Sequence, residues 1–183
     1  GTPRRELETR VDLRVDTYLP GDYVADEKQR MEMYKRIASI RTDSDRAEVI
    51  DEMIDRYGDI PAVVETLLDV SQLRAICNRI GISQVARTRG GAALRLDEKY
   101  IPDPAMLIQA MAAASPALNF GTGGRPYILY RTNLNSDREM LDALLRTMKK
   151  LTEALEALQE AASEEAAKAE NRPAGAAEAT EKR

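Results

Sequence analysis

The side chains of this sequence that could do chemistry are mainly carboxylates, because the chain has no histidine and a single cysteine. A zinc centre needs about four Cys, His or acidic ligands, and a Ser–His–Asp or Cys–His arrangement needs a histidine base. Structural zinc and both kinds of nucleophilic catalysis are therefore excluded, and a disulfide within the chain is impossible. Cys77 shares a helical apolar pattern with Leu73, Ile76 and Ile80, which predicts a core residue rather than a reactive thiol.

The densest group of carboxylates lies between residues 45 and 59, where six acids accompany two bases. Spacings of three and four residues place five of the acids on one helical stripe, namely Asp45, Glu48, Glu52, Asp55 and Asp59. The roughly opposite face, which is predicted to be the core face, carries Ala47, Ile50, Ile54 and Tyr57. Three interpretations of the stripe are open: a solvated face, a docking site for a basic partner, and catalytic carboxylates.

Two other motifs suggest phosphate binding. The glycines of 121–124 are followed by Arg125-Pro126 and a strand pattern, whereas a phosphate loop needs Lys-Ser/Thr and a helix, so a hairpin connection is predicted. Basic residues recur along the first helix, namely Lys28, Arg30, Lys35, Arg36 and Arg41. No aromatic residues interleave with them, which favours pairing with nearby acids, those of the second helix included, over nucleic-acid contact.

Periodicity and turn residues predict the elements that position these side chains. Alternation over 11–16 indicates a strand, and apolar stripes with capping residues indicate helices over 26–40, from about 43 to 57, and over 61–80. The pattern then predicts a hairpin over 84–95, a helix over 104–114, strands over 117–120 and 127–131, and a long helix from about 135 to 160. The predicted fold class is α+β: a single compact domain with a helical N-terminal half, a small mostly antiparallel sheet and a long C-terminal helix.

Composition bounds the organisation of the 183 residues. We predict a flexible lead over 1–9, one domain over 10–160, and a disordered tail over 161–183, where no Leu, Ile, Val or aromatic residue remains. The net charge of −4 gives no overall basic footprint for nucleic acid. No apolar run is long enough to span a membrane and no signal peptide is evident, so a cytoplasmic protein is expected.

Three blocks of the sequence resemble a known family, the C-terminal domain of bacterial transcription-repair coupling factors. They are Leu19-Pro20-Gly21-Asp22-Tyr23-Val24, then residues 30–38 (RMEMYKRIA), then residues 52–61 (EMIDRYGDIP). The blocks occur in the family's order and with its separations. The resemblance covers about residues 10–150 and weakens through 84–131; Met53 stands where the family usually has Leu.

The resemblance implies a parent protein that is an ATP-driven DNA translocase. Such a protein displaces stalled RNA polymerase and recruits nucleotide excision repair through UvrA. The domain itself is expected to be regulatory, non-catalytic, cofactor-free and monomeric in isolation. It would dock on a UvrB-like N-terminal module of the parent and mask the UvrA-binding surface. The predicted interdomain interface is Glu48, Glu52, Asp55, Arg56 and Asp59.

Two alternatives to this regulatory role are open. One is an adaptor module that binds DNA, polymerase or UvrA directly through the basic first helix. The other is a small enzyme that acts alone.

Overall fold

The computed structural model of the protein describes residues 7–174, and within them the chain forms five helices and five strands. The helices are α1 (Glu27–Ala38), α2 (Asp43–Tyr57), α3 (Ala62–Ile80), α4 (Pro104–Ala114) and α5 (Asp137–Glu170). The strands are β1 (Arg10–Asp12), β2 (Ile82–Thr88), β3 (Gly91–Leu96), β4 (Leu118–Gly121) and β5 (Tyr127–Arg131). The predicted α+β class, with its helical N-terminal half and long C-terminal helix, is confirmed.

Capping residues decide where the helices begin and end. The Asp26 carboxylate accepts a hydrogen bond from the backbone N–H of Gln29, 2.8 Å away, which satisfies one of the open donors of the first turn of α1. Helix α3 ends at Gly81, whose φ of +88° is a left-handed conformation that suits glycine. These local signals reproduce the predicted order of the elements.

The sheet has the strand order β1-β2-β3-β5-β4. Strand β1 runs parallel to β2, with Val11 opposite Val85, and the other neighbours are antiparallel. Alternate residues of β3 point to opposite faces, so Leu94 is buried while Arg95 is exposed. Apolar residues on the Leu94 side of the sheet pack with α3, α4 and α5 in one core.

A second, smaller core joins the first two helices to α3. Met33 of α1 and Met53 of α2 are both fully buried there, against Val64 and Leu68 of α3. Further along α3, Leu73 and Ile80 belong to the sheet core instead. Helix α3 therefore holds the two halves of the domain together.

A polar network ties α2 to α3 and α5 beside these cores. The Asp69 carboxylate of α3 is nearly buried and lies 2.6 Å from the Arg46 guanidinium of α2 and 2.7 Å from that of Arg138 in α5. The Asp43 carboxylate at the start of α2 lies 3.0 Å from Lys149 Nζ in α5. Because Asp69 is held from both sides, its burial is compensated by charge.

Two element boundaries differ from the predicted ones by more than two residues. Strand β1 ends at Asp12 rather than residue 16, because the backbone N–H of Arg14 leaves the sheet and donates to the Asp137 carboxylate, 2.6 Å away. Helix α5 continues to Glu170, although disorder was predicted from 161. Packing ends near Leu158, and the rich supply of Ala, Glu and Lys carries the helix further by propensity.

The predicted lead and tail lie partly outside the described residues, which leave out 1–6 and 175–183. Within the lead, Thr9 is buried and its hydroxyl donates to the carbonyl oxygen of Ile82, 2.7 Å away. Across residues 7–174, no helix combines the length and apolar character that a membrane crossing requires.

Candidate docking surface on the second helix

The acidic helix α2 begins with a capping box. The Thr42 hydroxyl accepts from the backbone N–H of Asp45, and the Asp45 carboxylate accepts in return from the backbone N–H of Thr42, each at 3.0 Å. Backbone hydrogen bonds from Arg41 and Thr42 lower the pKa of Asp45. Asp45 is therefore engaged in starting the helix.

The buried face of α2 is formed by Val49 and Met53, which are 4% and 0% exposed. Ile54 is 48% exposed, so the prediction that it faces the core is wrong, and Ala47 is exposed too. Each residue turns the helix by about 100°, so the position after buried Met53 points well away from the core. Ile50 and Tyr57 are half-buried at the edge of the same core.

Glu52 forms ion pairs within the domain. Its two carboxylate oxygens lie 2.7 Å from Arg36 Nη2 of α1 and 2.9 Å from Arg56 Nη1, one turn further along α2. Burial alone would raise the pKa of Glu52, but the hydrogen bonds from Arg36 and Arg56 outweigh it and lower the pKa. The Arg56 guanidinium also lies 5.0 Å from the centre of the Tyr57 ring.

The remaining predicted acids have different surroundings. Glu48, Asp55 and Asp59 are exposed, and none of them forms an ion pair with another described residue. Asp51, which the predicted stripe left out, is exposed and equally free of ion pairs within the described chain. We call the surface formed by Glu48, Asp51, Ile54 and Asp55 the acidic face.

The predicted interface residues are therefore divided by the structure. Glu48 and Asp55 lie on the acidic face, whereas Glu52 and Arg56 lie at its edge in the network with Arg36. The helical stripe predicted to reach Asp59 is wrong there, because α2 ends at Tyr57 and Gly58 turns the chain out of the helix. Asp51 and Ile54 were not among the predicted interface residues. The signal for both was present: placing Val49 and Met53 on the core side turns residues 51 and 54 toward solvent.

The basic residues predicted for the first helix are largely used inside the domain, although Arg41 lies beyond the end of α1. The predicted pairing with the acidic helix is confirmed by Arg36 and Glu52. The Arg30 guanidinium donates to the carbonyl oxygens of Val24 and Ala25. That of Arg41 donates to the carbonyl oxygens of two neighbouring residues. Only Lys28 and Lys35 of this group make no ion pair or side-chain hydrogen bond with the described residues, which leaves little of α1 for binding phosphate.

The two remaining sequence candidates have structural roles. The glycines of 121–124 join β4 to β5, as predicted for a hairpin connection. Cys77 is fully buried in the sheet core, and burial raises the pKa of its thiol to about 12. A thiol with so high a pKa is a poor nucleophile near neutral pH.

The same elements occur in known proteins. A family model described as the TRCF domain matches residues 13–107, which is more than half of the chain. The chain belongs to the TRCF domain family. The matched residues include all of α1, α2 and α3, and so the whole acidic face of this TRCF domain.

Relatives of this TRCF domain carry the name transcription-repair-coupling factor. One from Mycobacterium bovis is 38% identical over 106 residues, which is 58% of this chain and 8% of the relative. One from Escherichia coli is 38% identical over 101 residues, which is 55% of this chain and 9% of the relative. One from Bacillus subtilis is 30% identical over 149 residues, which is 80% of this chain and 13% of the relative. The chain thus spans about a tenth of the length of these relatives.

A solved structure shares the fold. The crystal structure of a C-terminal domain of transcription-repair coupling factor superposes with a TM-score of 0.69. The match covers 84% of this chain and 98% of the other, at 24% sequence identity. The fold of the TRCF domain is therefore shared across most of both chains.

Proposed function

We propose that this TRCF domain is the regulatory, protein-interaction domain of a transcription-repair coupling factor. The parent protein would be an ATP-dependent DNA translocase that displaces stalled RNA polymerase and recruits nucleotide excision repair. The domain would dock on the UvrB-like N-terminal module of that parent and mask the surface that UvrA binds. Membership of the family and the names of the relatives support the general role.

The observation that carries the proposal is the acidic face. Its three carboxylates form no ion pair within the described chain, and they share the exposed side of α2 with Ile54, a large apolar side chain that is 48% exposed. Exposed apolar anchors ringed by polar groups are typical of protein interfaces. The surface therefore fits a partner that offers basic side chains around a small apolar patch.

Docking can regulate UvrA only if the domain binds the closed parent better than the open one. Coupling free energies in allosteric proteins are typically about 1–3 kcal/mol. A few partly desolvated charge pairs with one apolar contact are sufficient for this range, whereas exposed pairs contribute about 0–1 kcal/mol each. We infer that Glu48, Asp55 and Ile54 supply most of the coupling, and that Glu52 and Arg56 hold α2 in place.

The test compares full-length parent proteins that differ in this domain. Glu48→Ala with Asp55→Ala should raise the affinity for UvrA about 5- to 150-fold, the range that corresponds to this coupling. Glu164→Ala with Glu165→Ala removes the same charge from an exposed part of α5 and should leave the affinity unchanged. Titration with UvrA and a thermal melt of each variant give the two readouts. A double variant that melts like the wild type and binds UvrA no better would show that the acidic face is only solvated.

The domain on its own is proposed to be non-catalytic. The sequence offers no phosphate loop, and the glycines that come closest join two strands. The isolated chain should therefore show no ATP hydrolysis above background in a preparation free of other ATPases, and turnover that follows the chain through purification would contradict the regulatory role.

A further inference from the structure

The sheet has one face that none of the described helices covers. Helices α3, α4 and α5 pack on the side of Leu94 and Ile128. The registers place Ala86, Ala93 and Leu129 side by side in the middle of the other face. Leu129 and both alanines are half-exposed, unlike their fully buried neighbours Ala92 and Leu94.

Arginines stand at both ends of this open face. Arg95 lies opposite Tyr127, and Arg131 lies opposite Gly91, four residues further along β5. At a rise of about 3.3 Å per residue, these two rows are about 13 Å apart. Arg125 in the β4–β5 loop and Arg89 in the β2–β3 turn extend the two ends of the strands. All four side chains are exposed and none forms an ion pair with another residue among 7–174.

The charge of this region is opposite to that of the whole chain. Residues 82–131 contain six Lys and Arg against three Asp and Glu, whereas the chain has a net charge of −4. The one carboxylate among the outward-facing residues of the described strands is Asp12. It is already bound by Arg10 at 2.8 Å and by the Gln84 amide at 2.6 Å. The unpaired charge on the face is therefore positive.

Tyr127 gives this face a flat aromatic surface. A side chain at Gly121 would place its Cβ only 2.2 Å from Tyr127 Cζ, so the tyrosine ring lies directly over the glycine. Tyr127 stays half-exposed in that position. Ala86 and Ala93, two small residues in the middle of the same face, keep the surface flat. A flat, partly exposed ring beside Arg95 is suited to stacking with a nucleobase.

The geometry points to a binding site for single-stranded DNA on this sheet face. The arginines at the two ends contact phosphates, and Tyr127 stacks with a base at the end where Arg95 lies. A five-stranded sheet is wider than the two-stranded ribbon that the major groove admits, so duplex DNA of the same sequence binds more weakly. Phosphate contacts and stacking do not by themselves distinguish DNA from RNA, so an RNA of the same sequence is part of the test. The inference is independent of the acidic face, which lies on a different element.

The experiment titrates a fluorescent oligodeoxynucleotide of about 15 nucleotides with the full 183-residue chain and follows its anisotropy. Four phosphate contacts predict a slope of about −3 for log K against log salt, at about −0.7 for each contact. Arg95→Glu with Arg131→Glu should weaken binding at least about tenfold and reduce the slope by about 1.4. Tyr127→Leu should weaken it about 5- to 150-fold, the effect of losing one stacked base.

Matched controls make each outcome decisive. Arg74→Glu with Arg146→Glu changes the net charge by the same amount as the Arg95 and Arg131 pair, but at exposed positions on helices. This control should leave binding within about threefold of the wild type. An equal loss in this control, or binding to duplex as tight as to the single strand, would overturn the site. RNA bound more than about tenfold tighter would overturn the assignment to DNA, and displacement by an acidic peptide better than by DNA would assign the face to a protein partner. A thermal melt of each variant separates lost binding from lost fold.

Discussion

Glu52 and Asp55 lie one turn apart on α2 but have different surroundings. Glu52 bridges Arg36 of α1 and Arg56 of its own helix, whereas Asp55 points to solvent with no cation from the described residues near it. Side chains of one charge type can thus either stabilise the packing of two helices or stay available to a partner. Which role each has depends on rotation around the helix, and a difference of three residues changes it.

Removing the Glu52 carboxylate should destabilise the isolated chain. Glu52→Ala loses two partly exposed ion pairs and should lower the free energy of unfolding by about 0.5–1 kcal/mol. Asp55→Ala loses none and should stay within about 0.5 kcal/mol of the wild type. Urea denaturation of both variants measures the difference, and equal effects would mean that the Glu52 pairs contribute nothing to stability.

Cys77 should be unreactive as long as the chain is folded. Its thiol is fully buried and its pKa is raised to about 12, so almost no thiolate exists near neutral pH. Iodoacetamide should leave the native chain unmodified and should label it completely in denaturant, as intact mass shows. Fast labelling of the native chain would indicate frequent local opening of the sheet core around α3.

At the scale of elements, α2 shows how a helix can be placed correctly but rotated incorrectly. Thr42, Asp45 and Gly58 fix its ends, and each acts through its nearest neighbours, so the sequence predicts the helix bounds well. Its rotation depends on which apolar residues meet Met33 and Leu68 from other elements. The position of Ile54 opposite the acidic stripe predicts that it faces the core, whereas Val49 and Met53 fill that space.

Two substitutions on neighbouring residues test this rotation. Met53→Ala opens a cavity in the helical core and should lower the free energy of unfolding by about 2–5 kcal/mol. Ile54→Ala exposes little more surface and keeps a good helix former, so its effect should stay within about 0.5 kcal/mol. Chemical denaturation measures the free energy of unfolding of both variants. A larger decrease for Ile54→Ala than for Met53→Ala would show that Ile54 faces the core, as the sequence predicts.

Carboxylates that join helices should also make stability depend on pH. The hydrogen bond from Lys149 of α5 lowers the pKa of Asp43, and the arginine partners of Glu52 lower its pKa against the effect of burial. A carboxyl with a lowered folded pKa stabilises the fold above its unfolded pKa, and this contribution is lost as pH falls through the folded value.

The free energy of unfolding should therefore be steady near neutral pH and decline below about pH 5. Glu52→Gln should make this decline shallower, because its amide does not titrate. Urea titrations across the acid range measure both curves. If the free energies of unfolding of the variant and the wild type changed in parallel with pH, Glu52 would not contribute to the pH dependence.

At the scale of the whole molecule, long-range pairings could not be read from the sequence. Strand β1 lies parallel to β2, with more than seventy residues between the partners Arg10 and Gln84. Nothing in the alternation of 11–16 indicates which strand it joins. Asp69 is similar: it lies in a run of apolar residues, and its two arginines come from distant helices. Local patterns predict the elements and their order, while such contacts depend on how the elements assemble.

Asp69 should therefore be important for the stability of the whole domain. Asp69→Ala leaves Arg46 and Arg138 facing each other without their shared carboxylate, and should lower the free energy of unfolding by about 3 kcal/mol. Asp142→Ala removes a more exposed carboxylate, 3.4 Å from the same Arg138, and should cost less than about 0.5 kcal/mol. Urea denaturation of both variants measures the loss in the free energy of unfolding. Hydrogen exchange in α2 and α5 shows whether the loss of Asp69 loosens both helices. Similar losses would show that Asp69 acts as an ordinary surface charge.

The free end of α5 also offers a position from which to observe the domain. Ser163 is exposed, about 12 Å along the helix beyond Leu155, the last well-buried residue. Because the chain's own cysteine is inaccessible, Ser163→Cys would provide a single thiol for attaching a dye. A continuous helix transmits any rotation of its base to its tip and enlarges the displacement with distance. Energy transfer from this dye to an acceptor elsewhere on the parent protein would then test whether the domain changes its orientation as the proposed docking requires.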